Sequence, residues 1–253
     1  MNKRHEHQAA SPPWQASAEE QKRWDALQTK IGYRFGNQTL LLTALTHPSF
    51  TQGMDEGATD NQRMEFLGDA VLELCASRFL YDKYPAKDEG WMTKTRSLLV
   101  REESLFAVAQ EIQLGYCLRL SPSEQRNGGR QKPSILSDAV EALICAIYLD
   151  GGWQAASAFI LRFITPEGRD VEAELIIRDP KTKLQEWLQQ EGSVKISYEI
   201  IDESGAAHER SFTAQVTFNG RALGQGQGRS KKEAEQQAAL QALEYLQQNT
   251  KSS

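Results

Sequence analysis

Between residues 24 and 152 apolar residues recur at helical spacing, and no stretch of useful length alternates at period two. The pattern predicts its clearest helices over 40–45, 66–80, 93–109 and 135–149. Breaks fall at Gly32, Pro48, Gly53, Pro85, Gly90, Pro122 and Gly128-Gly129. Helical spacing continues over 153–164 and stops at Pro166-Glu167-Gly168. After Pro180 the period changes. Residues 183–190 read as a helix, while 194–201, 212–218 and, weakly, 221–226 alternate as strands. Asn219-Gly220 is a hairpin signal, and 230–246 reads as an amphipathic helix with Ser230 as N-cap. The expected fold is an all-α domain followed by an α+β domain of order α-β-β-β-α. The expected divisions are a polar tail at 1–22, a first domain at 23–165, a linker at 166–179, a second domain at 180–248 and a short tail at 249–253.

Composition narrows the class without naming a chemistry. A chain of 253 residues with 40% hydrophobic and 25% charged residues suits a soluble protein of one or two domains. No apolar run approaches a membrane span, and the N-terminus lacks an apolar signal region, so a cytoplasmic protein without a membrane partner is expected. Cys75, Cys117 and Cys145 form no C-x-x-C pair and lie among apolar positions, as buried reduced thiols do. His5 and His7 lie in the polar tail and read as solvated.

Two acidic segments change the picture. Glu65 and Asp69 stand four residues apart among Phe66, Leu67, Ala70, Val71 and Leu74, so both carboxylates share one face of a helix. Asp138 and Glu141 repeat the arrangement at i, i+3 in a helix that is otherwise apolar nearly all round. No Lys, Arg or His occurs over 64–74 or 137–152 to pair with them. Buried acids are almost always paired or coordinated. Four such carboxylates suggest a hard-cation site for Mg²⁺ or Mn²⁺. A histidine acid–base pair is not available: two of the four histidines are in the tail, His47 is in a Thr-His-Pro turn and His208 in a hairpin loop.

The segments Glu65-Phe66-Leu67-Gly68-Asp69-Ala70-Val71-Leu72 and Asp138-Ala139-Val140-Glu141-Ala142-Leu143-Ile144 together resemble the ribonuclease III family. The resemblance runs from about Ile31 to the C-terminal end and includes a double-stranded-RNA-binding domain in second place. It implies a Mg²⁺-dependent endoribonuclease, with Mn²⁺ as a substitute, acting on double-stranded RNA such as ribosomal and messenger precursors. The implied products carry 5′-phosphate and 3′-hydroxyl ends with short 3′ overhangs. By motif position, Glu65, Asp138 and Glu141 would ligate metal, with Asp69 and Glu141 catalytic; Asp69 would hold metal-bound water or orient the site. Phe66 reads as a core aromatic by periodicity alone. The resemblance instead implies insertion into a cavity of a partner subunit, making a homodimer with one carboxylate set for each strand.

Further positions carry weaker signals. Many family members have Glu where Gln62 stands, so a role in cation binding there loses its charge, while a contact to RNA or across a subunit interface stays open. Glu89 reads equally as an accessory acid bordering the cleavage site and as a turn residue, and Glu73 reads as surface. In the second domain the resemblance implies minor-groove contacts from Thr182, Gln185 and Glu186 and from His208 in a loop. Lys231 and Lys232 would meet phosphate at a helix N-terminus. The family often has a further Lys where Glu235 stands. The net charge of −5 fits RNA binding only through local basic clusters: residues 1–179 hold 20 Lys+Arg against 25 Asp+Glu, and 180–253 hold 9 against 9. Two rivals are a non-catalytic RNA-binding protein on the same scaffold, which loss of a site carboxylate would mark, and a phosphohydrolase of small nucleotides, for which an RNA-binding module has no use.

Overall fold

The computed structural model describes residues 16–54, 58–165, 171–189, 195–205 and 210–250. The chain divides into two compact units, Met1–Arg169 and Asp170–Ser253.

The described part of the first unit is helical. Its elements are α1 (Ala18–Ile31), α2 (Gln38–Ala44), α3 (Pro48–Thr51), α4 (Gln62–Lys83), α5 (Glu89–Leu99), α6 (Glu102–Glu111), α7 (Pro122–Arg126) and α8 (Pro133–Phe163), with 3₁₀ turns at Leu114–Tyr116 and Gly129–Gln131. The organising element is α8. From Ile135 to Ile147 nearly every residue is buried, as its apolar sequence demands, and Gly152 leaves helical backbone (φ 73°, ψ −171°). Helix α4 packs along it through Met64, Gly68, Val71, Leu72, Cys75 and Leu80. Among the described residues no helix is long and apolar enough to cross a membrane. The three cysteines are free and buried, and burial pushes each thiol up to about 11.

Two sequence expectations need correction here. The tail expected through Lys22 gives way to α1 from Ala18. Ser17 accepts from the Glu20 backbone N–H, and Glu20 reaches back to the Ser17 N–H, a reciprocal cap legible as Ser-x-x-Glu. Burial raises the Glu20 pKa, but hydrogen bonds from Arg119 and Ser17 outweigh it and hold the carboxyl near 2. Arg119 in turn lies over the rings of Trp24 and Phe50 and fixes the segment before α3, donating its N–H to Leu45 and accepting from His47. The helix expected over 93–109 is two helices. Arg101 is extended (φ −66°, ψ 160°), the Ser104 hydroxyl donates to the Leu98 carbonyl, and Glu102 and Glu103 open a new helix whose N-terminus favours acids. No Gly or Pro marks that break.

The second unit has the order α9 (Val171–Arg178), α10 (Pro180–Gln189), β1 (Ile196–Ser204), β2 (Ser211–Phe218), β3 (Arg221–Gly228) and α11 (Lys231–Thr250). The sheet is antiparallel in the order β1-β2-β3. Asn219 and Gly220 both take positive φ, as a type I′ hairpin requires. The weak alternation of β3 has a packing cause. A Cβ at Gly224, Gly226 or Gly228 would lie 2.2–2.7 Å from α11 backbone, so these glycines let the Ala234, Ala238 and Ala242 face of α11 lie directly on the sheet. The stretch expected as linker, 166–179, contains α9. Its apolar residues explain it: Ile176 packs against the core formed by Leu184, Leu188, Phe212, Val216 and Leu243. The helix expected over 230–246 continues as α11 to Thr250, into the stretch expected as a C-terminal tail at 249–253.

Candidate metal centre

Glu65 lies in the first turn of α4, where the helix dipole favours a negative side chain. Asp60 caps that start by accepting the Gln62 N–H at 3.1 Å, and Asn61 donates its N–H to the Thr46 carbonyl. Asp138 and Glu141 stand one turn apart on α8, which Pro133 opens. The packing of α4 on α8 brings one carboxylate oxygen from each of Glu65, Asp138 and Glu141 to within 4.8 Å of one another, and all three side chains are half-buried. Asp69 lies outside this trio and is exposed. It remains electrostatically tied to it, because its charge raises the pKa of both Glu65 and Glu141.

The trio is costly without a cation. Burial, then the charges of Asp69, Asp138 and Glu65, push the Glu141 carboxyl up to about 8. Burial and then Asp138 and Asp69 raise Glu65. For Asp138, burial and the charge of Glu102 raise the pKa, while His47 and a Ser137 hydrogen bond oppose. Three oxygens converging at this spacing, each destabilised as an anion, form a donor set that would suit a hard divalent cation. The residues present therefore fit Mg²⁺ or Mn²⁺ by chemistry.

Other expected positions fall around or away from this centre. Gln62 is exposed one turn before Glu65. Glu89 opens α5 and accepts from the Thr93 hydroxyl at 2.8 Å, outside the trio. Glu73, read as surface, is half-buried and pairs with Arg96 at 2.7 Å. Phe66 is not a core aromatic: it is 82% exposed, and Leu74 and Tyr81 are exposed on the same side of α4. In the second unit Thr182 and Gln185 line a cleft of about 350 Å³ with Lys181, Gln189, Ile196 and Tyr198. Glu186 takes Lys183 Nζ at 3.5 Å. Lys231 and Lys232 are exposed at the start of α11, where Ser230 caps by accepting the Glu233 N–H. His208 lies outside the described residues.

Comparison with known proteins bears directly on this arrangement. A family model described as Ribonuclease-III-like matches residues 37–167, and one described as the double-stranded RNA binding motif matches 180–246. The chain is 49% identical over 221 residues to Ribonuclease 3 of Desulforamulus reducens, covering 87% of this chain and 90% of that protein. The chain belongs to the ribonuclease III family. Ribonuclease 3 of Pelotomaculum thermopropionicum is also 49% identical, over 86% of this chain and 90% of its own length. The crystal structure of the nuclease domain of ribonuclease III from Campylobacter jejuni superposes with a TM-score of 0.53 at 40% identity, over 58% of this chain and 96% of that domain.

Two residues of this ribonuclease III family chain act at the centre without having been assigned a part from sequence. Gly68 is where α4 touches α8: a Cβ there would sit 1.9 Å from the Glu141 carbonyl oxygen. Its place between the two acids of the first motif was the available signal. His47 accepts the Ser49 N–H on Nδ1 at 3.1 Å, so Nε2 carries the proton of the neutral ring. Burial lowers its pKa against the opposing charges of Glu124, Asp138 and Asp60, so the charge of one trio carboxylate reaches His47. Its sequence signal was only a Thr-His-Pro turn.

The raised Glu141 pKa sets a sign for stability. Between the unfolded value near 4.5 and the folded value of about 8 the native state holds the extra proton. Metal-free protein therefore loses stability as pH rises through that window. Glu141→Gln should flatten this slope and be more stable than wild type at pH 8 in chelator, by on the order of 1–2 kcal/mol after solvent screening. Denaturant unfolding at several pH values reads it out; equal slopes for the two proteins would refute the coupling.

Proposed function

We propose that this chain is an endoribonuclease that hydrolyses the phosphodiester bonds of double-stranded RNA with Mg²⁺, or Mn²⁺ in its place. The observation that carries this reading is the convergence of Glu65, Asp138 and Glu141. Those three side chains would hold the cation, and exposed Asp69 adds negative field and acceptor oxygens at the rim. Bound divalent cations supply charge neutralisation at the phosphoryl oxygens and a lowered pKa for the attacking water. The products would bear 5′-phosphate and 3′-hydroxyl ends with short 3′ overhangs, and the work would be processing of ribosomal and messenger precursors in the cytoplasm. Duplex would be recognised mainly by A-form shape, through Thr182, Gln185, Glu186, Lys231 and Lys232. A non-catalytic role on the same scaffold is disfavoured because all four carboxylates are present.

The active form would be a homodimer. An 82%-exposed Phe66, with Leu74 and Tyr81 exposed further along the same side, leaves an apolar stripe on α4. A groove of about 440 Å³ lined in part by Leu74, Leu80, Tyr81 and Met92 opens next to that stripe and offers apolar walls to a second copy's Phe66. Two subunits would present one trio to each strand.

Glu141→Ala should abolish cleavage of labelled duplex RNA in Mg²⁺ while leaving duplex binding within about twofold, because it removes a metal ligand and leaves the second unit intact. Mixed dimers with wild type should nick one strand and spare the other. Near-normal cleavage by the variant would refute the site. For assembly, Phe66→Glu should move the sedimenting species from dimer towards monomer, since burying an unpaired charge costs several kcal/mol. An unchanged dimer would remove Phe66 from the interface.

A further inference from the structure

Lys181, the second residue of α10, reaches across to Glu235 on α11: Nζ lies 2.6 Å from Oε2. The same ammonium sits 4.2 Å from the centre of the Tyr198 ring on β1, so one cation is held by a carboxylate from α11 and an aromatic face from the sheet. Both charged side chains are about two-thirds to three-quarters covered, at 36% and 26% exposure. The ion pair is thus better defined than an ordinary surface contact.

Its position matters more than its strength. Lys181 precedes Thr182, and Glu235 follows Lys231 by one helical turn and shares its face. Helix α10 has only ten residues, too few to hold itself in water. Leu184 and Leu188 bury it in the core, but apolar contacts tolerate sliding, whereas a charge-assisted hydrogen bond near its first turn does not. A-form duplex presents successive minor grooves and intervening phosphates at fixed separation. Groups that meet them from two helices must hold a fixed offset.

Resting on the duplex-binding reading above, we infer that the Lys181–Glu235 pair is a positioning device that sets α10, with Thr182 and Gln185, against the lysine-bearing start of α11. This accounts for an acid on a surface proposed to face phosphate. Taken as a bare charge, Glu235 would repel RNA; held against Lys181, it contributes geometry instead.

The two accounts predict opposite signs for one substitution. Duplex binding by the full chain is measured in chelator, so that no cutting occurs, on RNA longer than about 16 base pairs. If charge alone matters, Lys181→Met weakens binding and Glu235→Gln tightens it. The positioning account predicts that both weaken it, by about fivefold to tenfold. It further predicts that Lys181→Glu with Glu235→Lys recovers binding to within about twofold, and that Glu235→Gln leaves the salt dependence unchanged. Glu235→Gln is nearly isosteric, and a native circular-dichroism spectrum guards against reading an unfolded unit as a binding loss. Tighter binding by Glu235→Gln, or a reversed pair no better than the single variants, overturns the inference. Lys231→Ala with Lys232→Ala separates the two levels. If wild type and this variant bind duplex equally, or neither binds, the duplex-binding reading itself falls and takes the inference with it. If the lysine variant weakens binding while the pair variants follow net charge, only the positioning role is lost.

Discussion

The closeness of α4 to α8 at Gly68 is the constraint on which the centre depends. Glu65 belongs to one helix, and Asp138 and Glu141 to the other, so their oxygens share a space less than 5 Å across only if the backbones nearly touch. Any side chain at residue 68 would meet the Glu141 carbonyl at 1.9 Å. A glycine in mid-helix costs roughly 1 kcal/mol relative to alanine, and here that loss purchases the approach. The apolar length of α8 supplies the other half, since burial of Ala139, Val140, Ala142 and Leu143 leaves the two acids no alternative rotation.

Placing carboxylates this way stores electrostatic repulsion in the fold. Burial raises the pKa of all three, most for Glu141; neighbouring acids of the two motifs add to this for Glu65 and Glu141, and Glu102 adds to it for Asp138. The opposing influences on Asp138 are modest: the charge of His47, whose Nδ1 already accepts the Ser49 N–H, and a hydrogen bond from Ser137. A divalent cation would relieve the repulsion, so the same arrangement that destabilises the metal-free protein favours the loaded one. The second unit handles its charges differently. There Glu235 is matched by Lys181, and Lys231 and Lys232 stand exposed at the start of α11.

Much of this was legible from residue order, and the failures have identifiable causes. The two acidic motifs stood out because unpaired carboxylates beside buried apolar positions contradict ordinary burial. The strands β1 and β2 and the Asn219-Gly220 turn followed from period two and positive-φ chemistry. The split between α5 and α6 was hidden because Val100-Arg101 carries no helix breaker. Helix α9 was hidden by its charged residues, although its Ile176 packs on the core. The early start of α1 is written in Ser17-x-x-Glu20, but Pro12-Pro13 and the polar residues around them give the segment the pattern of a tail. Phe66 shows the limit of periodicity: spacing marks a residue as apolar-faced, but only the fold shows that this face is open to solvent. The exposed position of Asp69, apart from the trio, likewise follows from helix packing and not from its four-residue spacing to Glu65.

The central claim is that the approach at Gly68, and not the mere presence of the acids, creates the cation site. Calorimetric or paramagnetic titration of Mn²⁺ into wild type and Gly68→Ala tests it most directly. Alanine keeps every carboxylate and improves helix propensity, so circular dichroism should show retained helix. The account predicts that the variant binds Mn²⁺ at least about tenfold more weakly, a loss of about 1.4 kcal/mol. Wild-type affinity in a folded Gly68→Ala protein would contradict it.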